Sequence, residues 1–367
     1  MARVRLEILT VLATIAYATG AGAQPLDRAW EVEVHGGGMW LNSPSRGDSA
    51  LPPPSAILSV PAPSLNSARI VSSWYFGDGS QQLNQALARL GVSVVPLDDA
   101  LRSPFVNPAT GGSLGTRIGR RMSRRFAVEF SVDLGLAEAS LSTESSTAIE
   151  VSRVTYANLW NAALPRSAPI TGLTVSSDAT VQQTGGRPLV GTGTLLVTVF
   201  PRGRMEPYLA VGGGVVSSLG DGPSAHIEGA YGFTIPAPSL PFEIPPIVVS
   251  DRDMVDIRSV METRGVFVFG AGFRYQYGRR TGLRLDVRDH MFTDARRTQL
   301  DVAPATQPGG LAFVVAGPPA LTFSQASGSS FVIRPTLSGP AMAAFETFKS
   351  TGLVNHLNFS AGLYWRF

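Results

Sequence analysis

The chain has 367 residues, of which 44% are hydrophobic and 16% charged, with 39 Gly, 27 Pro, no Cys and a formal net charge of +3. Soluble domains carry about 25% charged residues, so this composition is too poor in charge for an ordinary wet surface, and the missing Cys excludes disulfide scaffolds, thiolate zinc sites and Cys nucleophiles. Mean hydropathy is +0.13, yet beyond the N-terminus no apolar run reaches the roughly 18 residues of a membrane helix; the hydrophobicity must be distributed by alternation, which points to strands.

The N-terminus carries Arg3 and Arg5, then an apolar stretch from Ile8 to Ala18, then Ala21-Gly22-Ala23 before Gln24. A basic start, a short apolar core and a small-residue cleavage site predict a secretory signal peptide over residues 1–23. No Cys follows the site, which excludes lipoprotein anchoring.

The first alternating segment runs from Trp30 to Trp40, with Trp30, Val32, Val34 and Trp40 on one face and Glu31, Glu33 and His35 on the other. Two tryptophans ten residues apart on a tilted strand are separated by about 25 Å along the membrane normal, the height of a barrel's apolar band. A long connection, 41–111, follows, with apolar Leu51-Pro52-Pro53-Pro54 and Ile57-Leu58. Within it, Asp78 to Gly91 reads as a short helix with Leu83, Leu87 and Leu90 on one face and Gly at its end.

The second segment sets Leu114, Thr116 and Ile118 against Arg117, and the third sets Phe126, Val128, Phe130, Val132, Leu134 and Leu136 against Glu129 and Asp133. Only Arg121 to Arg125 lie between them. After the long stretch 138–188, Leu189–Phe200 and Tyr208–Val216 form a fourth and fifth segment joined by Pro201 to Glu206. The connection 218–264 contains apolar Pro241 through Val249, and also Asp251, Asp253 and Asp256, which offer oxygen ligands for Ca²⁺. Arg252 and the lack of an ordered loop's Gly and distal Glu favour a solvated acidic turn instead.

The sixth segment, Phe267 to Tyr277, opposes Arg274; the seventh sets Leu283, Leu285 and Val287 against Arg284, Asp286 and Arg288. Gly278 to Thr281 join them, and 292–355 leads to the last segment, Leu357, Phe359, Ala361, Leu363, Trp365 and Phe367 against Asn358, Ser360, Gly362, Tyr364 and Arg366. Eight is an even number, as bacterial barrels have, and short connections alternate with long ones as periplasmic turns do with extracellular loops.

The closing strand, with apolar residues at alternate positions and a final Phe, resembles the OmpA-type family of eight-stranded outer-membrane barrels. Pro207-Tyr208-Leu209-Ala210-Val211-Gly212-Gly213-Gly214 and Gly282-Leu283-Arg284-Leu285-Asp286-Val287-Arg288 resemble strand motifs of the same barrels. The resemblance implies an outer-membrane barrel in a Gram-negative-type bacterium. It also implies that Phe359, Leu363, Trp365 and Phe367 form the signal read by the barrel-assembly machinery. It covers the strands and not the long loops, and the family's peptidoglycan-binding domain is not expected here.

The fold class read from these segments is all-β: a transmembrane antiparallel up-and-down barrel of eight strands, with four long extracellular loops and three short periplasmic turns. Extra hairpins at Ala148–Tyr156, Gly310–Val315 and Ser330–Leu337 would raise the count to ten or twelve. An interior charge network is expected from Glu31, Glu33, His35, Arg117, Glu129, Asp133, Arg274, Arg284, Asp286, Arg288 and Arg366. Eight strands leave an interior only wide enough for side chains to fill. An aromatic girdle is expected from Trp30, Trp40, Phe126, Phe267, Tyr277, Trp365 and Phe367.

Two short motifs suggest hydrolase chemistry: His35-Gly36-Gly37-Gly38 matches an oxyanion-hole string and Gly111-Gly112-Ser113-Leu114-Gly115 matches G-x-S-x-G. That chemistry needs a strand-to-helix elbow, whereas Ser113 leads into an amphipathic strand, so no catalytic residue is expected. Among barrel enzymes a lipid A-modifying activity is the better comparison, but His290 lacks an H-x-S context and reads as a lumen or rim histidine paired with Asp286 or Asp289. Arg120, Arg121, Arg124, Arg125, Arg202, Arg204, Arg279 and Arg280 cluster near the short turns, which suits anionic lipid head groups rather than nucleic acid.

The expected role is structural or interactive at the cell surface, without enzymatic chemistry, cofactor or metal. A narrow pore or a hydrophobic-solute channel is the alternative, and a lipid A-modifying enzyme the third reading. Expected partners are outer-membrane lipids, lipopolysaccharide and, during biogenesis, the assembly machinery, with the protein a monomer.

Overall fold

The computed structural model describes residues 30–42, 46–53, 57–58, 68–69, 73–167, 171–201, 203–236, 246–303, 321–324, 330–333 and 342–367. The signal-peptide expectation over 1–23, the possible strand at 310–315 and most of the apolar stretch 241–249 fall outside these residues.

Period-two alternation gives each segment one apolar and one polar face, and a sheet closed on itself can turn all its polar faces inward. The strands are β1 (Trp30–Leu41), β2 (Gly111–Arg121), β3 (Phe126–Gly135), β4 (Arg187–Thr198), β5 (Met205–Leu219), β6 (Arg264–Gln276), β7 (Thr281–Thr293) and β8 (Leu353–Arg366). They form a closed barrel in the order β1–β8–β7–β6–β5–β4–β3–β2, returning to β1, and every pair is antiparallel. The strand count is therefore eight. Ala148–Tyr156 does not add a strand, because it lies inside a helix; among the described residues Ser330–Ile333 pairs only with Leu321–Ser324, outside the barrel.

Registers bring apolar residues together on the outer wall: Phe359 lies opposite Gly38 on one side and Val287 on the other. Val34, Leu114, Phe130, Leu209, Phe267, Leu283 and Phe359 are all exposed there. Gly37 is needed where β1 meets β8, since a Cβ at that position would lie 1.9 Å from the Phe359 carbonyl oxygen. The glycine run after His35 thus serves strand pairing.

The connections at one end are the short turns 122–125, 199–204 and 277–280. At the other end the described parts of the four long connections fold into a cap with its own core. Six strands form its sheet in the order Gly47–Ser49, Met342–Ser350, Arg296–Ala303, Ile247–Met261, Ser224–Ile235 and Thr171–Gln182. Each long connection contributes at least one strand, and the sheet follows the barrel's own circular order. Helices α1 (Gly77–Leu87), α2 (Asp98–Leu101) and α3 (Thr143–Ser167) complete the cap, α3 packing against Thr171–Gln182 and Ser224–Ile235.

The expected helix near Asp78–Gly91 is present: α1 continues into a 3₁₀ turn, Ala88–Leu90, ended by Gly91 at φ 67°. Its apolar stripe, Leu83 and Leu87, is buried in a core shared with Trp74, Tyr75, Tyr156, Trp160, Ile227, Tyr231, Val255 and Leu300. The rings interlock, with Tyr75 stacked on Tyr156 at 4.6 Å and Trp160 on Tyr231 at 4.5 Å. Offset pairs of this kind add to the burial of large apolar surfaces.

Candidate functional site in the barrel interior

Odd-numbered positions of β1 and even-numbered positions of β7 face the interior, so Glu31, Glu33, His35 and Met39 share it with Arg284, Asp286, Arg288 and His290. Three levels follow along the axis.

Nearest the short turns, Arg366 and Arg274 approach Glu31 at 3.1 and 3.2 Å, and Arg366 and Arg121 approach Glu206 at 3.4 and 2.5 Å. The middle level is a balanced cluster of three arginines and three carboxylates. Arg117 donates to Glu33 at 2.9 Å and to Ser360 at 3.0 Å. Arg284 donates to Glu33 at 3.0 Å, to Asp286 at 2.8 Å and to Glu129. Arg288 donates to Glu129 at 2.6 Å and Asp286 at 3.0 Å. Tyr208 donates its hydroxyl hydrogen to Asp286 at 2.5 Å and accepts from Arg284 at 2.5 Å. All seven of these ionic and phenolic groups are at most 3% exposed. Charges so deeply buried persist only when paired and hydrogen-bonded, and here each one is.

Above this cluster the polarity falls. His35 Nε2 and Asp133 lie 2.6 Å apart, and Ser131 and Thr192 share a hydrogen bond of 2.7 Å. His290 does not pair with Asp286 or Asp289. Its Nδ1 lies 3.2 Å from the His356 backbone carbonyl and its ring 5.5 Å from that of His356, because β7 and β8 place the two histidines directly opposite. Next to the cap, Met39, Val190, Val216, Val266, Val268, Phe292 and Val354 close the interior with an apolar collar. The bore thus holds a charged cluster below an apolar collar.

The structure places all eleven sequence-derived charged residues of the expected network on this inner face. Sequence reasoning missed Tyr208, Ser360 and His356 as participants, although parity with Glu206, Asn358 and Arg366 would have found them. The expected girdle residues are exposed on the outer wall: Trp30, Phe126, Tyr277, Trp365 and Phe367 toward the short turns, Trp40 and Phe267 toward the cap. Phe359 and Leu363, the remaining members of the expected assembly signal, also face outward.

The hydrolase motifs do not form an elbow: Ser113 lies within β2, with no helix following it. The acidic residues at 251, 253 and 256 form neither an ion site nor a turn, since they lie on one strand of the cap sheet. Alternation there sends Asp253 into the core, where Ser73 and the Trp74 amide donate to it at 2.9 and 2.7 Å, while exposed Asp256 pairs with His226 at 2.6 Å. Among the described residues no group of three His, Asp or Glu is placed to hold a metal ion.

The fold and interior define a class: a closed eight-stranded barrel, apolar outside and ionic inside, carrying a folded cap. No protein-family model matches the chain, and no curated protein does. Among solved structures, a major outer membrane protein from Thermus thermophilus is 10% identical, with 71% of this chain and 95% of that one covered and a TM-score of 0.27. The P. putida toluene transporter TodX is 9% identical, with 94% and 91% covered and a TM-score of 0.15. Likenesses at this level carry no argument, and the fold rests on the chain's own geometry.

Proposed function

We propose that this chain is an integral β-barrel of a bacterial outer membrane, with a structural or surface-interaction role and no chemistry of its own. The carrying observation is the inversion of the barrel: its outer wall is a continuous belt of exposed Val, Leu and Phe, while the arginines and glutamates of its inner face are buried. A soluble protein rarely exposes an apolar patch beyond a few hundred Å²; in hydrocarbon such a belt is the required surface, and closure satisfies every strand's backbone. In this reading the short turns are periplasmic and the cap stands outside the cell, where it meets lipopolysaccharide and any partner. The residues at the C-terminal strand's outer face, from Phe359 to Phe367, serve the assembly machinery.

The balanced ion cluster and apolar collar favour a plug over a pore. Single-channel recording on the refolded protein tests this: a silent bilayer is expected, and stable conductance steps would overturn the plug. Fractionation that placed the protein in soluble periplasm would overturn the membrane reading itself. A lipid A mass shift on overexpression would replace the non-enzymatic role with the enzymatic one.

A further inference from the structure

We propose that the short-turn rim of the barrel is a binding surface for anionic phospholipid head groups, an inference that rests on the membrane-spanning reading above. Arg120, Arg125, Arg204, Arg279 and Arg280 are exposed at this end. They come from the end of β2 and from all three short turns, so the positive charge is spread around the rim. The turns 122–125, 199–204 and 277–280 contain no acidic residue. Glu31 and Glu206, the carboxylates at the same level, face inward and are held by Arg121, Arg274 and Arg366.

The opposite rim is built differently. There Arg187 pairs with Glu138 at 2.9 Å and Arg264 with Asp294 at 2.7 Å, so its arginines are matched by acids from the same end. One end of the barrel thus carries an excess of positive charge, while the pairs at the other neutralise each other.

The height of the arginines selects the partner. The Arg120 guanidinium lies 5.5 Å from the centre of the Trp30 ring, and Phe126, Phe200, Tyr277, Trp365 and Phe367 are exposed along the same rim. Aromatic side chains settle at the boundary between hydrocarbon and head groups. Guanidinium groups beside them reach the level of lipid phosphates, which their planar fork grips with two hydrogen bonds. An anionic polymer lying beyond the membrane would instead be met by charges projecting past the turns. Anionic lipid in the adjoining leaflet is the occupant that fits both charge and depth.

Brominated lipids test the assignment through tryptophan fluorescence, using the full chain refolded into phosphatidylcholine vesicles and carrying Trp40→Phe to remove the belt tryptophan of the far rim. At low mole fraction, brominated phosphatidylglycerol is expected to quench with about fivefold higher apparent affinity than brominated phosphatidylcholine, and added salt should shrink the preference. Replacing the five arginines by Gln should abolish the preference while leaving phosphatidylcholine quenching unchanged; Arg279→Gln with Arg280→Gln, a milder change, should halve it or more. Equal quenching by both lipids in the unsubstituted rim overturns the inference and leaves the membrane-spanning reading intact. Quenching by neither overturns that reading. Arginine-dependent sedimentation with purified peptidoglycan, together with equal lipid quenching, would transfer the rim to a polymer and overturn the lipid assignment.

Discussion

Arg284 on β7 and Glu129 on β3 lie 155 residues apart in the chain and form a buried ion pair across the barrel axis. β3 and β7 stand on opposite walls, four places apart in the circular order. The pair therefore acts as a strut between walls that share no backbone hydrogen bond. Arg288, two inward positions along β7, grips the same carboxylate at 2.6 Å, so Glu129 serves two arginines at once.

Glu129→Ala is expected to cost about 3–5 kcal/mol, because it leaves three buried arginines sharing two carboxylates, Glu33 and Asp286. Denaturant unfolding of the micelle-embedded protein measures it. Glu31→Ala, which removes a partner of Arg274 and Arg366 at the more open short-turn end, where the Glu31 side chain is 12% exposed against 2% for Glu129, should cost clearly less; equal costs would contradict the strut.

Gly37→Ala should weaken closure of the barrel, since the added methyl would collide with the Phe359 backbone on β8. A penalty of about 1–3 kcal/mol follows from overpacking. The neighbouring Gly36→Ala, whose nearest contact would be the flexible Leu114 side chain at 3.4 Å, should be nearly silent. The fraction of heat-modifiable folded band on gel electrophoresis compares the two.

Asp253 makes the cap sensitive to pH. Burial pushes its carboxyl up to about 7, against hydrogen bonds from the Trp74 amide and Ser73 that favour the charged form. The folded cap thus keeps a proton that the unfolded chain has released above about pH 4. Stability is greatest below that pH, falls as pH rises toward 7 and is flat beyond, a difference on the order of 4 kcal/mol. Thermal unfolding of the cap, followed by tryptophan fluorescence from pH 4 to 8, should show this slope, and Asp253→Asn should remove it.

Leu83→Ala opens a cavity in the cap core, where Leu83 is fully buried, and should cost the cap about 2–5 kcal/mol. The barrel's ion cluster lies elsewhere, so heat modifiability should persist while the cap's tryptophan signal melts earlier. Loss of both together would mean that the two cores unfold as one unit.

The barrel is legible in the sequence because two different environments press on alternate residues of every strand. Glu33, Glu129 and Arg284 could be assigned to the interior by parity alone. Which of them would meet could not, since contacts across the axis depend on the stagger of a closed sheet, and parity is silent about stagger. The cap was harder. Residues 148–156 are rich in branched side chains and pass for a strand, but they are helical because Ile149, Ser152, Tyr156, Trp160 and Ala163 form one buried stripe at helical spacing. A start signal is also there: Ser142 accepts from the Ser145 amide at 3.1 Å and Glu144 sits in the first turn. Asp253 was misplaced because its acidic neighbours suggested a wet turn, although Val255 and Ile257 continue its face into the core.

The cap sheet takes strands from all four long connections and arranges them in the same rotation as the wall below. No subset of neighbouring hairpins can build it, so its completion reports that the ring has closed. It also works as a clasp: Gly47–Ser49 pairs with Met342–Ser350, Arg296–Ala303 with Ile247–Met261 and Ser224–Ile235 with Thr171–Gln182, so fragments cut within one connection stay joined by strand pairs between connections. Fragments produced separately should therefore find each other through the cap, and the same stitching keeps the intact ring from opening once it has formed.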